Sequence, residues 1–357
     1  MKLTKLTIQN FRGIQTLDIK DFQRVNLLVG RNNCGKTSVL EALFLISSMS
    51  NPQSPVNIHF LRDLGFIEGE DFSYLFFNFD LNQLPQIAAT VKEVIEKQRT
   101  LTIKPLYASY ISANEKELQK KDLGPFSDQA INVTTSTLQF MEGIQLDFKE
   151  DQRLGHAEVH LKEGQFKFSS SFPDLYKESL RCIFLVNRIG MRQPDIYKRL
   201  DRLRVQKSLQ EIISVLKEIE SGLSDIHLGA NDIIYADIGL DKLIPLNLLG
   251  DGIRHLLTIL SAVFEAKNGI LLIDEIENGL HYTSLKTLWK AVFRAAQDFN
   301  VQIFATTHSY ECIEAFANSE FSEIALYRID RSDGKHQAFC YSAEVLRAGV
   351  EKEFEVR

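Results

Sequence analysis

Apolar and polar residues alternate over residues 3–9, the two-residue period of a half-buried strand, and residues 24–29 (RVNLLV) form a denser apolar run that reads as a second, more buried strand. Residues 38–47 (SVLEALFLIS) carry apolar positions at helical spacing without a breaker, so a helix follows. From about residue 51 the pattern changes. Residues 51–55 are turn-rich, residues 60–80 are aromatic and irregular, and residues 86–98 are expected to form a short helix. Residues 100–112, 131–149 and 156–169 read as strands, with a hairpin-like turn at Glu163 and Gly164. Further on, short apolar strands are expected at 182–186, 233–238, 269–273 and 301–306. Between and around them lie amphipathic segments predicted as helices at 194–223, 256–266 and 284–299. A hairpin over 324–341 and a short helix over 343–350 close the pattern.

Helices alternating with continuously apolar strands at both ends predict an α/β core built on a parallel sheet. Residues 1–54 and 181–357 would form this core. Residues 55–180 would be an insertion of antiparallel strands and short helices.

Composition adds only boundaries. Of 357 residues, 44% are hydrophobic and 25% charged, the balance of a globular chain with a buried core. The net charge of −6 gives no global attraction to nucleic acid or anionic membrane. Residues 198–207 (KRLDRLRVQK) are locally basic and could touch DNA, but the simpler reading is a solvated helix face. The cysteines, Cys34, Cys182, Cys312 and Cys340, contain no CxxC pair, so reduced thiols are expected rather than a zinc site or disulfides. No apolar run reaches the roughly 18 residues that span a bilayer, and the N-terminus has no uninterrupted apolar stretch of the signal-peptide kind. The expected location is cytoplasmic, with no membrane partner.

Candidate chemistry lies in four places. Gly30-Arg31-Asn32-Asn33-Cys34-Gly35-Lys36-Thr37 fits the phosphate-binding pattern G-x(4)-G-K-[ST], between a strand and a helix as that loop requires. Its backbone N–H groups and the helix N-terminus would face phosphate. Lys36 would reach the β- and γ-phosphates, and Thr37 would offer a hydroxyl to Mg²⁺. Residues 269–275 (GILLIDE) end a buried strand in two acids. Asp274 would hold the metal, and Glu275 would polarise the attacking water. Residues 301–309 (VQIFATTHS) end a second apolar strand in Thr306, Thr307 and His308, with His308 placed to sense the γ-phosphate. Finally, Gly250, Asp251 and Gly252 precede an apolar helix, an arrangement suited to an anion.

The order of these motifs resembles the ABC-type ATPase head of the SMC/RecF-like class, and most closely the OLD-like (overcoming lysogenization defect) ATPases. The opening LTIQNFRGIQTLDI is similar to that class's first strand-turn-strand, IDEIENGLHY to its extended acidic motif and D-loop, LLGDGIRHLLTIL to its signature helix, and TTHS to its switch histidine. The resemblance covers residues 1–50 and 180–330 and implies a P-loop NTPase head with a mixed or parallel core sheet. It implies that Gly30, Asn32, Asn33, Cys34, Gly35, Lys36, Thr37 and Ser38 bind ATP and Mg²⁺, with Arg12 near the nucleotide. It implies catalytic roles for Lys36, Glu275 and His308, and metal binding by Thr37 and Asp274. Gly250, Asp251, Gly252 and Asn278 would act on the nucleotide of a second copy, giving a head-to-head homodimer or a higher assembly. Gly250 stands where the class has serine and Tyr282 where it often has proline. The Q-loop glutamine is open between Gln53 and Gln83.

Many OLD-like proteins continue into a Toprim nuclease. The residues after His308 hold no DxD-type acidic cluster, so a separate Toprim-like or other toxic effector, controlled in anti-phage defence, is the expected partner. A RecF-like DNA-binding ATPase is the alternative. A transporter subunit fits the altered signature and long insertion poorly, and a nucleotide-binding scaffold with little turnover is the fourth reading.

Overall fold

The computed structural model describes residues 2–62, 64–93, 95–110, 138–172, 176–186, 193–219, 222–332 and 334–351. The expected strand positions 111–112 and 131–137 lie outside them. The chain opens with the hairpin β1 (Lys2–Phe11) and β2 (Ile14–Lys20), then β3 (Val25–Val29), which leads through the glycine loop into α1 (Lys36–Ser47). After α2 (Ser54–Phe60) and two short 3-10 turns come β4 (Gln86–Lys92), β5 (Glu96–Tyr110), β6 (Leu138–Glu150), β7 (Arg153–Lys162), β8 (Gln165–Ser171) and β9 (Cys182–Leu185). Helices α3 (Gln193–Val205) and α4 (Leu209–Ile219) follow, then three short strands, β10 (Asp225–Leu228), β11 (Ile234–Asp237) and β12 (Ile244–Pro245). The C-terminal half runs α5 (Asp251–Glu265), β13 (Ile270–Ile273), α6 (Leu285–Asp298), β14 (Gln302–Thr306), α7 (Tyr310–Ala317), β15 (Ile324–Ser332), β16 (Lys335–Ser342) and α8 (Ala343–Glu351).

The apolar strands assemble into one six-stranded sheet in the order β16-β15-β3-β14-β13-β9, parallel except for the β15–β16 hairpin. The largely apolar runs of the central strands β3, β14 and β13 follow from burial on both faces. Val25, Leu27 and Val29 of β3, with Leu271, Ile273, Ile303 and Ala305, point into the core shared with the helices from α3 onward. The alternate positions Leu28, Ile270, Leu272 and Phe304 point into a second core, made with α1 and the antiparallel sheet.

That antiparallel sheet has seven strands in the order β2-β1-β4-β5-β6-β7-β8. Strands β4 to β8 therefore continue a sheet that the first twenty residues begin, with β4 paired to β1 from Lys2↔Lys92 to Gln9↔Gln86. Buried Gln302 stitches the two sheets together: its amide donates to the Leu3 and Gln23 carbonyls and its oxygen accepts from the Leu3 N–H.

Two expectations are corrected. Residues 86–98 form β4 and the start of β5, not a helix. Ile87, Ala89 and Val91 are buried at a period of two, and Ile95, which completed the helical spacing, is 73% exposed at the turn. Helix α5 starts at Asp251, five residues earlier than expected, because Gly250 at φ 99° absorbs the chain reversal and Gly252 is carried in the first turn.

Candidate nucleotide-binding site

The glycine loop turns tightly between β3 and α1. Gly30 needs its lack of a side chain for the neighbouring strand: a Cβ there would lie 2.3 Å from the Ile329 carbonyl oxygen of β15. Gly35, at φ 96°, caps α1 without a side-chain hydrogen bond, so the first N–H groups of that helix are available to an anion. Lys36 is 5% exposed and its ammonium folds over the loop, donating to the carbonyls of Gly30 (2.8 Å) and Arg31 (3.1 Å). Burial draws its pKa below that of an ordinary lysine, opposed by Cys34, Asp274 and Glu275.

A cleft of about 480 Å³ opens at this helix start. Asn32, Asn33, Gly35, Lys36, Thr37 and Ser38 line it together with Arg62, Glu275 and His308. The parallel order β3, β14, β13 thus brings the glycine loop to Glu275 and His308, which lie more than two hundred residues further along the chain. Asp274 lies just beyond, in an adjoining recess that shares Thr37 and Arg62. The Thr37 hydroxyl donates to the Asp274 carboxylate at 3.1–3.3 Å, and the Thr306 hydroxyl donates to it at 2.6 Å. Thr306 Oγ1 in turn accepts the Glu275 N–H at 2.8 Å, so one hydroxyl from β14 sets both acids at the end of β13.

These donors suit magnesium. A hydroxyl and a carboxylate are hard oxygen ligands beside a helix start that attracts phosphate, and Mg²⁺ is held by one or two protein groups with phosphate oxygens and water completing the shell. Among the described residues no cluster of three His, Cys, Asp or Glu could hold a metal without such help.

Glu275 is held at φ 53°. Its carboxylate accepts from Asn278 Nδ2 at 3.3 Å, so Asn278 touches the acid of its own chain. His308 is exposed in the cleft, and its backbone N–H donates to Glu277 at 2.8 Å. Cys34 is placed differently from its loop neighbours. Its buried thiol points back toward Lys36 Nζ (3.9 Å) and a recess against β15, and burial raises its pKa.

Arg12 stands behind the cleft instead of lining it. Its guanidinium pairs with Glu41 of α1 at 2.7 Å, and the other Glu41 oxygen pairs with Arg62, which faces the cleft. Neither Gln53 nor Gln83 lines the cleft; Gln83 instead bonds Asp80. Arg62 and Glu41 carried no motif. A hint lay in Glu41 itself, a carboxylate set among apolar residues in a buried helix.

Gly250 and Gly252 lie apart from the cleft of their own chain. Space around Gly250 is open, and a Cβ on Gly252 would meet Leu280 of the turn after Glu275 at 3.6 Å. The Asp251 side chain is outside the described residues.

A family described as "AAA domain, putative AbiEii toxin, Type IV TA system" matches residues 25–314, from the start of β3 to the middle of α7. The chain belongs to this family. An "ATP/GTP phosphatase" of Helicobacter pylori is 23% identical over 329 residues, covering 87% of this chain and 86% of that protein. The "DNA replication and repair protein RecF" of Actinobacillus pleuropneumoniae is 37% identical over 72 residues, covering 20% and 19% of the two chains. Among solved structures, the SMC head domain from Thermotoga maritima superposes with a TM-score of 0.54 at 13% identity, covering 96% of this chain and all of that one. The fold is that of an SMC head, and the protein is a P-loop ATPase.

Proposed function

We propose that the protein is a Mg²⁺-dependent ATPase of the OLD-like kind that works as a head-to-head homodimer and controls a separate effector in prokaryotic anti-phage defence. The convergence of Lys36, Thr37, Asp274, Thr306 and Glu275 on one helix N-terminus carries this reading. Lys36 and the loop N–H groups neutralise the triphosphate, and Thr37 and Asp274 would hold the metal. When bound, the metal would supply positive charge that offsets the charge of the phosphates. Glu275 takes the proton of the attacking water, and His308 and Arg62 stand where charge develops on the γ-phosphate.

The dimer is supported by the position of exposed Gly250 and half-buried Gly252 away from their own cleft, where a second copy's nucleotide could reach them. The effector is supported by the family's description, which names a toxin and a toxin–antitoxin system. GTP is a second substrate to assay, given the name of the Helicobacter relative. The RecF match supports the alternative, an ATP-gated DNA-binding protein, although it spans only a fifth of either chain. No described helix is long and apolar enough to cross a membrane.

The test is the Glu275→Gln protein. It is expected to bind ATP, to lose at least about a hundredfold in hydrolysis, and to elute as a dimer when ATP is present. A tagged form recovered from its native cells should carry a stoichiometric protein partner. A monomer under every nucleotide condition refutes the dimer, and recovery of DNA without a partner protein selects the RecF-like alternative.

A further inference from the structure

The turn that presents Glu275 has three ties, and they lead in different directions. Glu275 occupies the left-handed region at φ 53°, which a residue with a side chain keeps only where its surroundings over-determine it. Two ties come from the end of β14 and the loop after it. Thr306 accepts the Glu275 N–H on its hydroxyl and the Ile276 N–H on its carbonyl (3.1 Å), and Glu277 accepts the His308 N–H. These hold the turn to the γ-phosphate side of the same cleft.

The third tie comes from elsewhere. His255 Nε2 lies 2.7 Å from the Ile276 carbonyl oxygen. A carbonyl only accepts, so the imidazole proton sits on Nε2 and the ring is the donor. His255 is 3% exposed, and burial drives its pKa down to about 4, which keeps it neutral near pH 7. Its Nδ1 is buried without a hydrogen-bond partner among the described residues, so the bond to Ile276 orients the ring. His255 belongs to α5, five residues after Gly250, and does not line the cleft. Gly252, on the first turn of the same helix, faces Leu280 at the far end of the same turn, where a Cβ would meet it at 3.6 Å.

We propose that His255 is a positioning residue for ATP hydrolysis: it ties the helix that starts at Gly250 to the backbone of the turn bearing Glu275. A helix moves as a rod, and a close-packed interior passes small displacements on instead of absorbing them. A second copy's nucleotide bound at Gly250–Gly252 therefore sets the placement of α5. Through His255 it also sets the carbonyl immediately after the general base. Each site would fire only when its own signature helix is engaged. This inference rests on the ATPase reading and on completion of the site by a second copy.

The experiment compares His255→Gln, His255→Asn and His255→Leu in the full-length protein. The Gln amide nitrogen falls where Nε2 stood and keeps the donor. The Asn amide is too short to reach Ile276, and Leu fills the space without a donor. Displacing a catalytic group by about 1 Å costs on the order of a hundredfold in rate. The Asn and Leu proteins are therefore expected to lose roughly that factor in kcat, with KM and ATP affinity within about twofold of wild type. His255→Gln should recover most of kcat. Equal kcat for Gln and Asn, or a folded Asn or Leu protein with wild-type kcat, overturns the proposal. A wild-type protein that binds ATP but does not hydrolyse it overturns the ATPase reading instead, so the two failures are distinguishable. Should Leu fail to fold, the Gln–Asn contrast decides.

Discussion

Glu41 is the residue whose loss should be felt most outside the motifs. Its side chain is 2% exposed and bridges two arginines, Arg12 at 9% side-chain exposure and Arg62 at 36%. Glu41→Gln keeps the shape and removes the charge. The two arms then respond differently. Arg62 reaches solvent, so its pair is worth at most about 1 kcal/mol. Arg12 does not: burial already disfavours its charged form, and Glu41 is the main opposing influence. Removing one partner of a buried pair leaves an uncompensated charge and costs about 3–5 kcal/mol. The glutamine oxygen still accepts one hydrogen bond, so the expected loss lies at the lower end, about 3 kcal/mol. Against a total stability of roughly 5–15 kcal/mol this is a large shift in the urea midpoint with little change in slope. Arg62→Gln, which leaves the Arg12–Glu41 pair intact, should cost about 1 kcal/mol or less. A Glu41→Gln protein within about 1 kcal/mol of wild type would refute the reasoning, since it would mean that Arg12 is solvated without the carboxylate.

Other outcomes follow from single contacts. Lys36→Ala should weaken ATP binding by calorimetry at least about a hundredfold, as expected for a lost charge-assisted contact to phosphate; wild-type affinity would sink the P-loop assignment. Gly30→Ala places a Cβ 2.3 Å from the Ile329 carbonyl oxygen. It should yield a protein melting well below wild type, and an unchanged melting temperature would show that β15 yields at that point. Acid should weaken the fold through His255. Its folded pKa of about 4 lies below the usual 6.5, so the unfolded chain binds the extra proton between those values. The stability due to the neutral ring is complete above pH 6.5 and falls as pH drops toward 4, by about 3 kcal/mol in all. His255→Gln should flatten that slope, and an identical pH dependence in both proteins would contradict it.

The parts of the site that were legible in the sequence are those whose chemistry depends on a local backbone shape. The glycine loop needs consecutive N–H groups at a helix start, and Asp274 and Glu275 need a buried strand that ends at the right edge of a sheet. Both demands are written in adjacent residues, and the parallel pairing of β13, β14 and β3 then brings Thr37, Asp274 and Thr306 within hydrogen-bond reach. The less legible parts depend on partners far along the chain. Residues 86–98 carry apolar positions compatible with either period, and what settles them as strand is a place beside β1, some eighty residues earlier. His255 reads as one polar residue in an apolar helix until the turn after β13 is laid against it.

Arg12 and Arg62 show the distinction most sharply. The Asn10-Phe11-Arg12 tip of the first hairpin pointed to an arginine near the nucleotide. Arg62, with no motif around it, is the one that lines the cleft. Both are tied to the same carboxylate, Glu41, one helical turn after Thr37. The local pattern thus led to the ion-pair network that borders the cleft, with Arg12 on the side away from it. Which guanidinium faces the cleft is decided by where α2 ends relative to α1, a tertiary arrangement that no short pattern encodes. Arg12, walled in behind Glu41, acts through the carboxylate: it holds Glu41 in place, and Glu41 presents Arg62 to the site. Replacing Arg12 should therefore weaken nucleotide handling indirectly, by loosening Arg62, whereas replacing Arg62 removes the charge that lines the cleft.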